Sequence, residues 1–277
     1  MSSEITPQLL DELRRVVGAD RVLAARSDLL VYECDGYVME KGSPDVVVFP
    51  ETTEEVARIV AACHAADVAY LPRGAGTSLA GGCLPVGGGV MIVLTRMRQI
   101  LEINHRDRYA IVQPGVVNAW LTRELRGSGF HYAPDPSSQG ACTIGGNVAT
   151  NSGGPHTLKY GVTVNHVLGL EVVCADGRVV QLGGPLEQYP GLNLVGGFVG
   201  SEGTLGIVTR IWVRLTRDPQ SWRTMLAVFE SIDDATQSIS DMIGAGIVPA
   251  ALEMMDQGIL VAVEQAFNFG FPLDAQA

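Results

Sequence analysis

The sequence of 277 residues lacks the features that mark a membrane, secreted or nucleic-acid-binding protein. It has no run of 18 or more apolar residues, so no membrane-spanning helix is expected. Its first residues hold no basic segment followed by an apolar one, so no secretory signal is expected. Lys and Arg number 19 against 30 Asp and Glu, for a formal net charge of −11. This balance argues against a general binder of nucleic acid or of anionic membranes.

Cysteine is also scarce. There are five cysteines, an odd number that does not suggest a set of disulfides, and no two of them have the spacing of a metal site. The five histidines show no ligand spacing either. We therefore predict reduced thiols, a cytoplasmic location and no metal in this segment. The hydrophobic fraction of 47% argues against disorder, and the length allows one large domain or two smaller ones.

Glycine, by contrast, is abundant, and two glycine-rich stretches carry the strongest functional signal. They cover residues 72–82 and 134–154. Glycines let the backbone approach a ligand closely, and the Thr, Ser and Asn residues among them can bond phosphate oxygens. Two such stretches in one domain indicate a long ligand held at two points. A dinucleotide is the natural candidate.

The hydrophobic pattern predicts a mixture of helices and strands. We predict helices over residues 7–17, 53–66, 118–126, 232–243 and 258–267. We predict strands over residues 46–49, 68–71, 90–94, 100–104, 110–113, 167–173, 179–182, 206–215, 225–229 and 251–255. Asp176-Gly177 predicts a hairpin between two of these strands. Composition shifts at residues 217–219, which predicts one domain over 1–217 and the start of a second over 218–277.

The first glycine stretch does not fit the Rossmann pattern. Gly74, Gly76 and Gly81 lack the Gly-x-Gly-x-x-Gly spacing. The stretch also stays glycine-rich up to Gly89 and then enters a predicted strand, where a Rossmann loop would open into a helix. These features favour a different dinucleotide-binding fold.

Several motifs occur together in the first domain: RGAGTS at 73–78, PDPSS at 134–138, IGGN at 144–147, NSGG at 151–154 and GSEGTLGI at 200–207. In combination they resemble the FAD-binding domain of the vanillyl-alcohol oxidase type, also called PCMH-type. Three further motifs are YECDG at 32–36, LKYG at 158–161 and LEMMD at 252–256. These are similar to the family of the FAD-linked D subunit of bacterial glycolate oxidase and the D-lactate dehydrogenases. The resemblance covers residues 32–277.

The resemblance implies an α+β fold, with a two-subdomain PCMH-type FAD-binding domain followed by the start of an α+β, ferredoxin-like cap domain. It implies non-covalent FAD, because no His or Cys adjoins the glycines expected at the pyrophosphate. The residues implied at the pyrophosphate are Pro72, Arg73, Gly74, Ala75, Gly76, Thr77 and Ser78. Those implied along the flavin and the second wall are Pro134, Asp135, Ser138, Gly145, Gly146, Asn147, Asn151 and Gly153. Those implied at the adenine or ribose end are Glu202, Gly203, Gly206 and Ile207.

The same resemblance implies an activity, the oxidation of a small 2-hydroxy acid, glycolate or D-lactate, to the 2-oxo acid. The hydroxyl proton would go to a base and the hydride to flavin N5. Electrons would pass to iron–sulfur and accessory FAD-type partner subunits, and any attachment to the inner face of the cell membrane would be through them. The catalytic residues, including a histidine-rich motif, are expected beyond residue 277.

Two other functions stay open at this point: a non-catalytic FAD-binding subunit or fragment that scaffolds a multi-subunit oxidase, and an NADPH-dependent flavin reductase. Several side chains have open roles too. His156, Lys159 and Tyr160 could face the flavin or be structural or solvated. Arg73 could pair with phosphate or form a structural salt bridge. For Cys83, close to the first stretch, simple packing is expected.

Overall fold

A computed structural model describes residues 5–185 and 191–277. The chain divides into two compact units. The first runs to Gly154 and resumes over Val162–Arg217, and the second holds Pro155–Gly161 and Asp218–Ala277. None of the helices in the described part of the chain is long and apolar enough to cross a membrane.

The elements are numbered in chain order. The helices are α1 (Pro7–Val17), α2 (Arg26–Leu29), α3 (Thr53–Ala65), α4 (Asn118–Glu124), α5 (Ile144–Thr150), α6 (Thr157–Tyr160), α7 (Leu194–Phe198), α8 (Ile232–Gly244) and α9 (Gln257–Phe267). The strands are β1 (Val22–Leu23), β2 (Val46–Val48), β3 (Tyr70–Arg73), β4 (Val90–Val93), β5 (Ile100–Asn104), β6 (Tyr109–Val112), β7 (Phe130–His131), β8 (Val167–Val173), β9 (Val179–Gly183), β10 (Ile207–Arg214) and β11 (Thr216–Arg217).

The first part of the first unit is built on a four-stranded sheet of order β1-β2-β4-β3. Strands β2, β4 and β3 are parallel, and β1 pairs antiparallel with β2. Every residue of β2 and β4 is buried, as expected for parallel strands covered on both faces. One face packs on α1 and α3 through residues such as Leu13 and Ile59, and the other packs on a smaller cluster that includes Leu29 and Met91.

The second part of the first unit is built on a five-stranded antiparallel sheet of order β5-β6-β10-β8-β9. Its core face packs on α4 and α5 through Leu121, Ile144 and Val148. The hairpin predicted at Asp176-Gly177 is confirmed: β8 and β9 pair with Val173 opposite Val179, and Gly177 has a φ of +83°.

Most predicted elements are present with small shifts. The predictions for α1, α3, α4, α8 and α9 agree with the structure within two residues. The strand predicted over 68–71 lies two residues later, at β3. Part of the second glycine stretch, where no helix was predicted, is helix α5, which begins after Thr143.

The strands predicted over 225–229 and 251–255 are wrong, because neither segment forms a strand in the second unit. A strand exists only where another strand completes its hydrogen-bond ladder. Phe229 instead exchanges backbone hydrogen bonds with Gln276 and Ala277. Met225, Leu226 and other apolar side chains of this unit stay exposed.

A bidentate ion pair between Arg21 and Glu55 holds the first turn of α3 in place. Arg21 Nη1 and Nη2 donate to Glu55 Oε2 and Oε1 at 2.8 and 2.6 Å, and both side chains are less than one-fifth exposed. Burial raises the pKa of the Glu55 carboxyl, but the hydrogen bonds from Arg21 and from the Glu51 backbone N–H outweigh it, so the net pKa is lowered. The folded state therefore favours ionised Glu55.

We predict that Glu55→Gln lowers the free energy of unfolding by about 1–3 kcal/mol at neutral pH, because it removes the nearer of the two carboxylates that pair with Arg21 and leaves the half-exposed Glu51 at 3.5 Å. Since the folded pKa of Glu55 is depressed, its contribution exists above the unfolded value of roughly 4.3 and disappears as pH falls through the folded value. Urea unfolding of both proteins at pH 7 and pH 3 tests this.

Glu54→Gln is the control, since Glu54 lies in the same helical turn but is exposed. It should change the free energy of unfolding by less than about 0.5 kcal/mol. A loss for Glu55→Gln that persists undiminished at pH 3 would contradict the electrostatic assignment.

Candidate functional site

A cavity of about 330 Å³ lies in the first unit. Its wall comes from three parts of the chain: the first glycine stretch, the second glycine stretch with α5, and the turn that leads into β10. These parts are far apart in sequence. The fold brings them together because β3 ends at the cavity and β10 begins there.

Most of the predicted site residues line this cavity. They are Pro72, Arg73, Gly74, Ala75, Gly76, Thr77, Ser78, Ser138, Gly145, Gly146, Asn147, Glu202, Gly203, Gly206 and Ile207. Pro134, Asp135, Asn151 and Gly153 do not line it. Which of these residues contact a cofactor stays a prediction.

Other wall residues were not predicted. They are Leu79, Gly82, Cys83, Leu94, Pro114, Cys142, Thr143, Val148, Ala149, Thr150, Ser152, Phe198, Ser201 and Val208. Many are direct neighbours of the predicted glycines, so adjacency along the chain could have indicated them. Leu94, Pro114 and Phe198 had no such signal, because only the tertiary fold brings them to the wall.

The first loop, residues 74–81, follows β3 and exposes a row of backbone donors. Within the described chain, the backbone N–H groups of residues 75–79 donate to no protein acceptor. Their residues line the cavity. Such a row of free donors is unfavourable unless water or a ligand accepts from it, and successive free N–H groups are a known way of binding anions.

Arg73 lies beneath this loop and is 7% exposed. Its Nη2 donates to the Cys34 carbonyl at 2.8 Å, its Nη1 donates to Cys83 Sγ at 3.3 Å, and its Cζ lies 5.8 Å from the centre of the Tyr32 ring. A side chain at Gly76 would overlap the guanidinium, so the loop packs directly on it. Arg73 forms no salt bridge within residues 5–185 and 191–277, which leaves its charge without a protein anion.

Cys83 lines the cavity as well as packing against Arg73. Burial raises the pKa of its thiol, while the charge of Arg73 opposes that rise. The thiol is therefore protonated near neutral pH and is not an activated nucleophile.

The second wall is built on the N-terminus of α5. Thr143 caps the helix by accepting from the Gly146 N–H at 3.2 Å, and the Gly145 N–H donates to the Pro114 carbonyl at 2.8 Å. A Cβ at Gly74 would lie 2.6 Å from Thr143 Oγ1. Glycine at position 74 therefore permits the two glycine stretches to touch.

Asn147 is a buried polar side chain of α5 at the cavity wall, and it is 2% exposed. Its Oδ1 accepts from Ser152 Oγ at 3.3 Å. Its Nδ2 has no oxygen or nitrogen acceptor in the described part of the chain, and its contact is with the Cys142 thiol, whose pKa burial raises and this contact lowers. Sulfur is a weak acceptor, so this buried amide is suited to a ligand oxygen.

The third wall is the turn over residues 200–206. The N–H groups of Gly200 and Glu202 donate to the α5 carbonyls of Val148 and Ala149, both at 2.9 Å. Glu202 adopts a left-handed conformation with φ of +51°. These bonds tie the turn to α5 and hold the Glu202 carboxylate at the cavity.

The predicted residues outside the wall have structural contacts. Asn151 ends α5 with φ of +50°, and its Oδ1 accepts from the Val164 N–H at 2.9 Å. The Pro134 carbonyl accepts from Asn118 Nδ2 at 2.9 Å, and Asp135 packs against Gly154. All three could shape the wall without lining it.

His156, Lys159 and Tyr160 belong to the second compact unit. The Lys159 ammonium lies 5.6 Å from the centre of the Tyr160 ring, and the His156 and Tyr160 rings are 6.4 Å apart. Their predicted role at a flavin stays a prediction.

Comparison with known proteins agrees with this geometry. Residues 44–183 match the FAD binding domain family, and residues 218–277 match the C-terminal domain of FAD-linked oxidases. The chain belongs to the FAD binding domain family. The family resemblance and the FAD cofactor predicted from the sequence are thereby confirmed.

Curated relatives extend the likeness. The chain is 43% identical to glycolate oxidase subunit GlcD of Bacillus subtilis (strain 168), over 99% of this chain and 58% of the relative. It is 44% identical to GlcD of Escherichia coli (strain K12), over 97% of this chain and 54% of the relative. It is 33% identical to D-lactate dehydrogenase of Anaerostipes hadrus, over 95% and 55%. The chain thus spans about half the length of these relatives.

Solved structures share the fold. Alkyldihydroxyacetonephosphate synthase matches with a TM-score of 0.83 and 23% identity, over 98% of this chain and 54% of that chain. p-Cresol methylhydroxylase with substrate bound matches with a TM-score of 0.74 and 22% identity, over 87% and 50%. These likenesses confirm the predicted α+β class with a PCMH-type FAD-binding domain. The ferredoxin-like form of the second domain stays a prediction.

We predict that Gly76→Ala weakens FAD binding at least tenfold, because its methyl group would displace the Arg73 guanidinium and the loop above it. Gly87→Ala is the matched control: its φ of +85° resembles the +69° of Gly76, but a Cβ there meets nothing within 4 Å. Both variants place a side chain at a positive φ, which costs roughly 1–2 kcal/mol. Flavin fluorescence titration separates them, and equal losses would show that backbone strain alone is responsible.

Proposed function

We propose that the cavity holds FAD and that the protein serves the oxidation of a small 2-hydroxy acid to the corresponding 2-oxo acid. The observation that carries the cofactor placement is the row of free N–H donors at residues 75–79. The observation that favours the substrate class is the identity of 43–44% to two GlcD proteins over nearly the whole chain.

The donor set of the first loop fits a diphosphate. Backbone N–H groups bind phosphate oxygens without bringing charge into the cavity, and glycine lets them come close. The hydroxyl of Thr77 adds a donor beside them. Beneath the loop, the guanidinium of Arg73 supplies a fixed positive charge that no protein carboxylate in the described chain neutralises.

The other walls fit the two ends of the dinucleotide. Asn147 Nδ2 would donate to an oxygen of the flavin half, a stronger acceptor than the Cys142 thiol beside it. Glu202 would accept hydroxyl groups of the adenosine ribose, a use of carboxylates that is common in dinucleotide sites. Pro134 and Asp135 would shape the flavin side from just outside the wall.

We further propose that FAD is bound without a covalent link. The nucleophilic side chains at the described wall that could form one are the Cys83 and Cys142 thiols. Burial raises the pKa of both, so neither is ionised near neutral pH. Release of all flavin by acid precipitation is the expected result.

When bound, FAD would supply a two-electron acceptor for the Cα hydride of the hydroxy acid, and a base would be needed for the hydroxyl proton. The residues described here bind and orient the cofactor. The groups that bind the substrate and take its proton are proposed to lie beyond residue 277. We also propose partner subunits, including an iron–sulfur protein, because the B. subtilis and E. coli relatives are named as subunits of glycolate oxidase.

Anaerobic titration tests the activity in flavin-loaded protein that includes the segment proposed beyond residue 277, with its partner subunits where they co-purify. Glycolate or D-lactate is expected to bleach the flavin spectrum, while L-lactate and NADPH leave it oxidised. Bleaching by NADPH would replace the proposal with a flavin reductase. A spectrum that stays oxidised with all four would favour an FAD-binding subunit without chemistry of its own.

Asn147→Asp tests the cofactor placement. The change keeps the side-chain size but turns the amide donor into an anionic acceptor, and we expect it to weaken FAD binding about tenfold or more. Asn165→Asp is the control, because Asn165 is exposed and uses its Oδ1 to accept from the Val162 N–H at 3.0 Å, which Asp also does. Isothermal titration with FAD measures both. Unchanged affinity in Asn147→Asp would remove Asn147 from the site.

A further inference from the structure

The segment over residues 32–36 forms a floor under the first loop. The Tyr32 ring lies under the Arg73 guanidinium, and the Cys34 carbonyl accepts from Arg73 Nη2 at 2.8 Å. Gly36 lies so close to the loop that a Cβ there would be 2.9 and 2.8 Å from the carbonyls of Thr77 and Ser78. The floor segment therefore contacts both the beginning and the middle of the loop.

Asp35 joins the floor segment to the far end of the loop. Its Oδ2 accepts from the Gly81 N–H at 2.9 Å, a contact between residues 46 positions apart. Its Oδ1 accepts from the Tyr37 N–H at 2.8 Å. The carboxylate is 5% exposed and forms no ion pair with a cation of the described chain. These two backbone bonds are what offsets its burial.

The loop has little internal support. Apart from the Ala80 N–H, which donates to Ser78 Oγ at 3.2 Å, and the Gly81 N–H held by Asp35, residues 75–81 donate no hydrogen bond within the described chain. Gly81 also needs a φ of +72°. The shape of the loop is consequently set from outside, by Arg73 at its start and by Asp35 at its end.

We propose that Asp35 is a positioning residue for the dinucleotide, one that holds the first loop in the shape in which its free N–H groups converge on the diphosphate. The inference rests on the proposed placement of FAD. A negative side chain near a diphosphate is electrostatically unfavourable, so Asp35 acts through geometry and not through charge attraction. It need not touch the cofactor.

Asp35→Asn tests the assignment in the 277-residue chain. The amide has one acceptor oxygen where the carboxylate has two, so one of the two N–H groups would face an NH2 group. The Kd for FAD, measured by flavin fluorescence quenching, is expected to rise on the order of tenfold to a hundredfold. Asp45→Asn is the matched control: Asp45 Oδ2 accepts from the Gly89 N–H at 2.6 Å, and Gly89 also has a positive φ, but neither residue lines the cavity. Its Kd should stay within about twofold.

A second readout separates positioning from general damage. At saturating FAD, the visible spectrum of flavin bound to Asp35→Asn is expected to match that of the unmodified protein, because the walls around the flavin are intact.

Gly36→Ala provides a variant that keeps the buried carboxylate. Gly36 is exposed, so the fold should tolerate the change, while the new methyl group pushes on the Thr77 and Ser78 carbonyls. It should raise the Kd at least fivefold with the same bound spectrum.

Three results would overturn the inference. The first is that the Kd of Asp35→Asn for FAD stays within twofold of the value for the unmodified protein. If Asp35→Asn does not fold, the same result for Gly36→Ala would count instead. The second is an altered bound-flavin spectrum, which would indicate a general structural role. The third is failure of the unmodified protein to bind FAD, which would refute the proposed function as well and is therefore distinguishable from the other two.

Discussion

The structure of the site depends on one constraint: the first loop must keep five consecutive backbone N–H groups free of protein acceptors. A regular turn or helix would have used them internally. The chain instead anchors the loop by its ends and underside, through Arg73, Asp35 and Gly36. The donors are thereby available in a fixed arrangement, and an anion that reaches them does not have to pay for ordering the loop.

The same constraint explains how the three walls are joined. Gly74 lies against Thr143, Gly203 lies against Pro72, and the turn before β10 bonds to the carbonyls of α5. Each glycine stands where a side chain would separate two walls. The glycine-rich motifs therefore allow close packing between parts of the protein as well as close approach to a ligand. Because the walls are in direct contact, a substitution in one wall is expected to displace atoms of another.

Local signals in the sequence were enough to predict α1 and α3, because Thr6 and Thr52 cap helices whose apolar faces are regular. Most wall residues were likewise predictable from glycine-rich motifs. Helix α5 was not, since Gly145 and Gly146 disfavour a helix and tertiary bonds such as that to Pro114 override the preference. The motif at 32–36 contains Asp35 but did not indicate its bond with Gly81, because the two residues are 46 positions apart. The pattern at 225–229 could not show that no strand pairs with it in the described chain.

The acidic character of the chain does not conflict with an anionic ligand. A net charge of −11 is spread over the whole surface, and charges farther away than about 8 Å are largely screened at physiological ionic strength. What the diphosphate would experience is local: neutral N–H dipoles from the loop and the buried guanidinium of Arg73 beneath it. Because Arg73 is held by a carbonyl, a thiol and an aromatic ring, and by no carboxylate of the described chain, its positive charge is retained for the ligand. A salt bridge at that position would have given similar packing but would have cancelled the charge that an anion requires.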